Sequence, residues 1–209
     1  MNRMRSAAVC IVLTLTGCAI GKPAPQTTTY AVDPPAPQLV PTAARQPEAL
    51  RIGNVRVAAA YAGNALVYRM DDVRYVADPY HAFIAEPAAL LGNQMAQWLD
   101  RAGPFSSVSP RGSAGPAAYV LDATVSELYG DFRPGQRPAA VVVVQFALID
   151  QRAGVRPQSV QARTIASRVD LPQASPDALV RGYGTALAEI LTQFVGGLNS
   201  VAIGSGRSQ

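Results

Sequence analysis

Histidine occurs once and cysteine twice in 209 residues, and charged side chains make up only 15% of the chain. So few ligating groups exclude a zinc ribbon, a cysteine-rich scaffold and a two-histidine metal site, and they argue against most histidine-dependent hydrolases. No apolar run reaches the roughly 20 residues that a membrane-spanning helix needs. Lys and Arg total 18 against 14 acids, and with Arg3 and Arg5 set aside in a removed leader the balance is +2. That is too mild for a nucleic-acid binder, whose basic residues cluster on one stripe. The chain does have 49% hydrophobic residues, enough to bury a core of ordinary size, and 17 prolines, seven of them between positions 19 and 47.

The N-terminus carries the sharpest signal. Asn2-Arg3-Met4-Arg5 is a basic start, Ala7 to Leu15 a short apolar run, and Leu15-Thr16-Gly17-Cys18 closes it with small residues ahead of a cysteine. This segment resembles the signal peptide and lipobox of bacterial lipoproteins, in which the thiol is alkylated by a diacylglycerol and cleavage leaves the cysteine as the first residue. The alternative is an ordinary secretory leader with an incidental cysteine. Residues 1–17 are therefore expected to be removed and Cys18 to carry a diacylglycerol and an N-acyl chain, with no other cofactor and no metal. Each buried methylene contributes about 0.8 kcal/mol, so two or three chains hold the protein on the membrane essentially permanently. Cys10 leaves with the leader, and no thiol then remains for a disulfide. Ala19 is not Asp, which by resemblance to the sorting rule of Gram-negative lipoproteins favours the outer membrane.

Residues 18–47 read as the lipidated cysteine and a tether. Pro23, Pro25, Pro34, Pro35, Pro37, Pro41 and Pro47, with Gln and Thr between them, favour an extended chain. Tyr30-Ala31-Val32 interrupts this stretch. It is either a short edge strand that docks on the domain or an apolar patch in an unpacked arm.

From Leu50 onwards, within an expected domain of residues 48–199, the pattern is β. Leu50 and Ile52 share one face, Val55 and Val57 the other, and the phase changes across Gly53-Asn54 as a bulge requires. Ala65 to Met70 and Val73 to Val76 flank Asp71-Asp72 as a hairpin. Tyr119, Leu121, Ala123 and Val125 alternate with polar neighbours, marking a strand with one buried face. Ala139 to Ile149, with four consecutive valines from Val141, reads as a central strand, and the more polar Val160 to Val169 as an edge. Pro87 opens a helix with Leu91, Met95 and Trp98 on one face, stopped by Gly103-Pro104. Ser175 caps a second, whose Leu179, Tyr183, Leu187, Ile190 or Leu191, and Phe194 recur at helical spacing as far as Gly196-Gly197. The expected fold is α+β and two-layered, an antiparallel-rich sheet with two amphipathic helices on one face. Residues 200–209 are small and polar, and are expected to be a disordered tail.

No constellation carries catalysis or a metal. His81 stands alone and reads as a surface or packing residue. Asp71 and Asp72 are explained by a turn. The glycines around 182, 184, 196 and 197 follow no strand and precede no Lys-Ser or Lys-Thr, so they form no phosphate loop. Tyr75, Tyr80 and Phe83 flank the hairpin and the first helix, with Asp78-Pro79 imposing an extended bend. They are either presented as anchors for a partner or plug the gap between hairpin and helix.

Several short elements occur in a telling order: Arg69-Met70-Asp71-Asp72 with Arg74-Tyr75; Tyr80-His81-Ala82-Phe83 ahead of Pro87 and Trp98-Leu99; Phe105-Ser106-Ser107-Val108; and Tyr119-Val120-Leu121 leading to Leu128-Tyr129-Gly130-Asp131-Phe132. From Tyr30 to Phe194 this order resembles the ABC-type transport auxiliary lipoprotein family, the PqiC-like proteins. Phe83 stands where many members have Trp, which leaves the subfamily open. The resemblance implies a lipoprotein on the periplasmic face of the outer membrane. It would serve as a non-catalytic auxiliary subunit of an ABC system with an MCE-domain protein, moving phospholipid or other hydrophobic molecules between the membranes. Relatives that form rings imply possible homo-oligomers, for which an exposed sheet edge is one surface. No nucleic acid is implied. Three alternatives compete: a lipoprotein assisting assembly of an outer-membrane β-barrel or lipopolysaccharide transport, a periplasmic lipid carrier with a closed apolar cavity, and a hydrolase with titratable groups in a cleft.

Overall fold

The computed structural model describes residues 26–37, 47–152 and 158–198. The expected leader, Cys18 and the 200–209 tail lie outside them. Two long strands with β-branched or alternating sequences form the spine, Tyr119–Asp131 and Ala139–Asp150, and they pair antiparallel along their whole length. In chain order the elements are β1 (Thr28–Tyr30), β2 (Leu50–Val57), a single 3-10 turn (Ala59–Tyr61), β3 (Ala65–Arg69), β4 (Tyr75–Phe83), α1 (Pro87–Ala102), β5 (Val108–Ser109), the spine strands β6 and β7, β8 (Gln158–Asp170) and α2 (Pro176–Leu198).

β7 lies between β6 and β8, the central position its valine run demands, and β8 is an edge. The other side of β6 is shared. β2 runs parallel to its first half, from Leu50 opposite Tyr119 to Val57 opposite Val125, and β3 meets its last two residues, Gly130 and Asp131. The sheet therefore forks, one limb continuing to β5 and the other through β4 to β1. It is mixed: the long ladders are antiparallel, as expected, while β2, β5, β3 and β1 join it by short parallel contacts.

The predicted bulge falls between Ile52 and Val55. Its cause is local: the Asn54 N–H donates to Asp122 Oδ1 at 2.7 Å, and that carboxylate fills the space where a side chain on Gly53 would stand. A second bulge in β6, between Val125 and Glu127, turns both Val125 and Leu128 towards the helices.

Both helices cover the same face. Leu91, Met95, Trp98 and Leu99 of α1, and Leu179, Tyr183, Leu187, Ile190, Leu191 and Phe194 of α2, join Tyr119, Leu121, Val142, Val144, Phe146 and Leu148 in one core. Ser175 caps α2 by accepting the Ala178 N–H at 3.3 Å. α1 stops where the Gly103 N–H reaches the Leu99 carbonyl, with Pro104 next. α2 does not stop at Gly196-Gly197 but runs through both to Leu198. The reason is packing: Leu198 is buried, and Gly197 makes room for the Arg163 guanidinium, which donates to the Gln193 carbonyl at 3.3 Å. Those glycines permit a close approach and do not terminate the helix.

Residues 28–37 form a strap on the domain. The strand at its start is Thr28–Tyr30, parallel to β4 from His81 to Phe83, and Val32 of the predicted triplet inserts into the core. The strap then crosses α2 at Gly184, where the Asp33 carbonyl occupies the space of a side chain, and Trp98 Nε1 donates to the Pro35 carbonyl at 3.0 Å.

Candidate functional site

The arm made by β3 and β4 begins with a turn fixed by one carboxylate. Asp71 Oδ1 accepts the N–H groups of Val73 at 3.0 Å and Arg74 at 2.7 Å, and these two bonds hold its pKa below the ordinary carboxylate value. Asp71-Asp72 is turn chemistry, as the sequence indicates. At the tip Val73 is left 88% exposed.

Below the turn, Tyr75 of the arm and Tyr61 of the 3-10 turn lie on the sheet face that carries no helix. Tyr61 stacks on Tyr129 with centroids 6.0 Å apart, and Tyr75 meets Tyr129 edge-on at 5.4 Å. Val67, Tyr129 and Val141 lie beneath as a small second core. Burial first, and then the neighbouring Tyr75, pushes the Tyr61 phenol up to about 12. Beside this patch Asp131, 1% exposed, receives Arg133 through Nε and Nη2 at 2.9 Å each and Arg168 through Nη1 at 2.7 Å. The Arg133 bonds are the main cause that holds its carboxyl far below the usual range. Arg133 also reaches Asp72 at 3.1 Å, tying the arm's tip to the end of β6.

Midway, β4 bulges. Leu66 alone lies opposite Asp78, Pro79, Tyr80 and His81. Asp78 organises the loop-out: Oδ2 accepts from the Tyr68 hydroxyl at 2.6 Å and contacts His81 Nδ1 at 2.7 Å, while Oδ1 accepts the N–H groups of Tyr80 at 2.8 Å and His81 at 3.2 Å. Burial alone would raise the Asp78 pKa, but these bonds outweigh it and hold it below the ordinary value. His81 is thus a positioning residue of a bulge. The bend expected at Asp78-Pro79 is a bulge inside a continuous strand.

The three aromatics singled out in the sequence part company here. Tyr75 is 43% and Tyr80 47% exposed, whereas Phe83 is 3% exposed and packs 6.0 Å from Tyr183. Phe83 is core and offers no surface to a partner, because β1 covers its strand and α2 its face. Three exposed residues escaped the sequence reading: Val73, Val76 at 42% and Ile84 at 64%. Alternation between Tyr75 and Val76 was the available signal, since a strand apolar on both sides but lying at an edge must show one side to water. Among the described residues, the large apolar side chains that stay exposed all sit on β4 or next to it.

Elsewhere, an open cleft of about 470 Å³ separates the strap from α2, lined by Pro35, Pro37, Trp98, Ala188, Glu189 and Thr192 among others. Among the described residues no group of three or more His, Cys, Asp or Glu is placed to hold a metal, and no helix is long and apolar enough to cross a membrane.

A helix-backed mixed sheet with a strap on one edge and an exposed apolar row beside that strap defines a strap-docked α+β domain. The chain belongs to the ABC-type transport auxiliary lipoprotein component family, whose profile matches residues 30–195. The fold is shared with a Xanthomonas campestris protein of 17% identity, over 82% of this chain and 94% of that one, with a TM-score of 0.69. An uncharacterized protein, also 17% identical, is similar over 83% and 99% of the two chains, with a TM-score of 0.61. A hypothetical protein of Chlamydia trachomatis is similar at 11% identity over 76% and 99%, with a TM-score of 0.50. No curated protein matches the chain.

Proposed function

We propose that this chain is a lipid-anchored, non-catalytic docking subunit on the periplasmic face of the outer membrane. It serves an MCE-type ABC system that moves phospholipid or other hydrophobic molecules between the membranes. One coincidence supports the reading most: the family match begins at Tyr30, where the strap joins the sheet, and the strand it joins is the one that carries the exposed apolar row. The anchor and the contact surface therefore enter the domain side by side. Acylation of Cys18 fits the lipobox, and the ten residues from Ala19 to Thr28 would, if extended, let the domain stand roughly 30 Å from the bilayer. Tyr80 and Ile84, beside the strap, are the residues we assign to the transport partner.

The test uses the full-length lipoprotein, purified in detergent through a C-terminal tag from the cell that makes it. Co-purification of an MCE-domain protein with its permease and ATPase is expected. Co-purification of an outer-membrane β-barrel without an MCE protein would overturn the reading in favour of barrel assembly. Mass spectrometry of the processed chain should find the acyl mass on an N-terminal Cys18, and a bare, unmodified cysteine there would refute the anchor.

A further inference from the structure

The direction of β1 fixes which end of the domain faces its anchor. β1 is parallel to β4, with Thr28 opposite His81 and Tyr30 opposite Phe83, so the chain upstream of Thr28, through the exposed Thr27 and Gln26, comes in from the side where β4 begins. β4 begins at its turn with β3. On the same side β3 ends level with β6, Arg69 opposite Asp131, and the register continues from Asp131 to Ala139 and from Ala139 to Asp170. Three connections therefore project together towards the anchor: the turn 70–74, the turn 132–138, and the link 171–175 into α2. Hydrogen bonds tie them into one rim. The Phe132 N–H donates to the Arg69 carbonyl at 2.9 Å, the Leu171 N–H to the Pro138 carbonyl at 2.7 Å, and Arg133 to Asp72 at 3.1 Å.

What this rim presents suits a lipid surface. Val73, at its apex, is 88% exposed, more than any other large apolar side chain among the described residues, and Pro134, Gln136, Pro172 and Gln173 on the neighbouring connections are exposed and uncharged. The charges of the rim are paired: Asp71 with Arg74, Asp72 with Arg69 and Arg133, Asp131 with Arg133 and Arg168, and Asp170 with Arg137. With Asp177 at the start of α2 the two signs balance, so no acidic excess opposes anionic headgroups. Reach is sufficient. Measured along β3 and its turn, Val73 lies roughly 15 Å beyond the level of Thr28 on the anchor side. The ten residues from Ala19 to Thr28 span up to about 31 Å when extended, so about half that length brings Val73 to the surface that holds the acyl chains. A tethered domain meets that surface at high effective concentration, and a small apolar contact is then enough to set how it stands. We propose that the β3–β4 turn, with Val73 at its apex, rests in the headgroup layer of the membrane that holds the anchor, so that the domain stands on this rim with Tyr80 and Ile84 clear of the lipid. This orientation rests on the acylation of Cys18 proposed above.

The test uses the full lipoprotein carrying Val73→Cys, labelled with a polarity-sensitive fluorophore and reconstituted in vesicles of phosphatidylethanolamine and phosphatidylglycerol, a fraction of whose acyl chains carry a nitroxide quencher near the headgroup. Acylated Cys18 has no free thiol and Cys10 leaves with the leader, so the label marks the introduced cysteine alone. The control is Gln151→Cys, exposed at the opposite end of the sheet. Expected are a blue-shifted emission at position 73 and quenching severalfold stronger than at position 151. Quenching of a label at Gln136→Cys, on the neighbouring turn, should fall severalfold when Val73→Asp is added. Equal quenching at positions 73 and 151, in chains that float with the vesicles, would overturn the proposal and leave the anchor standing, as would a Gln136→Cys signal indifferent to Val73→Asp. A labelled chain that stays at the bottom of the flotation gradient would refute the anchor itself, and the resting tip with it.

Discussion

Phe194 and Tyr75 are aromatic residues of similar size with opposite fates. Phe194 is fully buried on α2, its ring 4.7 Å from Phe146, while Tyr75 lies on an edge strand with nearly half its surface in water. The core between helices and sheet removes its large apolar side chains from solvent, and burial of that kind is what holds the fold. The β3–β4 arm keeps Val73, Tyr75, Val76, Tyr80 and Ile84 outside, held by hydrogen bonds to Asp71, Asp78 and Asp131. Apolar residues left exposed on an arm shaped by hydrogen bonds to carboxylates are the surface we propose for contact.

Substitutions in the two regions should separate stability from association. The largest effect belongs to Phe194→Ala, expected to destabilise by about 3–5 kcal/mol through the cavity it opens, read from the midpoint of urea unfolding. Next is Asp131→Asn, which removes the charge that Arg133 and Arg168 share. Because both arginines are partly wetted, the loss is that of charge-assisted hydrogen bonds, about 2 kcal/mol at neutral pH. Asp131 also fixes a pH dependence. Its folded pKa lies below its unfolded value, so its contribution is present above about pH 4 and is lost as the pH falls towards the folded pKa. The native chain should lose stability on acidification below that point, and Asp131→Asn should flatten the decline. Trp98→Phe keeps an aromatic ring but loses the Nε1–H bond to Pro35 and leaves a cavity where the larger indole stood, and should cost about 1–2 kcal/mol, with faster amide exchange along the strap than elsewhere. Val73→Ser should change stability by under about 0.5 kcal/mol. A loss as large as that from Phe194→Ala would erase the contrast between the two regions.

Much of the first region was legible in the sequence, because its signals are local. The Tyr119 to Val125 alternation, the valine run of β7, the Gly53-Asn54 phase change and the Ser175 cap each state their structure within a few residues. The fork of the sheet was not, because the division of β6 between β2 and β3 depends on partners far apart in the chain. Nor was the course of α2 through its glycines, which rests on Arg163 from another strand. In the arm, the Asp71 turn was readable, whereas the sequence left open whether Tyr75 and Tyr80 are presented or packed. The Asp78 bulge was hidden behind a Pro that suggests a bend, and Phe83 was misjudged because only β1 and α2 together bury it. The Asp131 cluster joins residues from β6, β8 and two loops, and no spacing announces it.

The most direct test of the account is a photo-cross-linking residue placed at Tyr80 of the membrane-anchored lipoprotein in living cells, compared with one placed at Gln145. Adducts from position 80 that contain the MCE-domain protein, with none from position 145, are the expected result. Adducts only to an outer-membrane barrel, or equal yields from both positions, would contradict it.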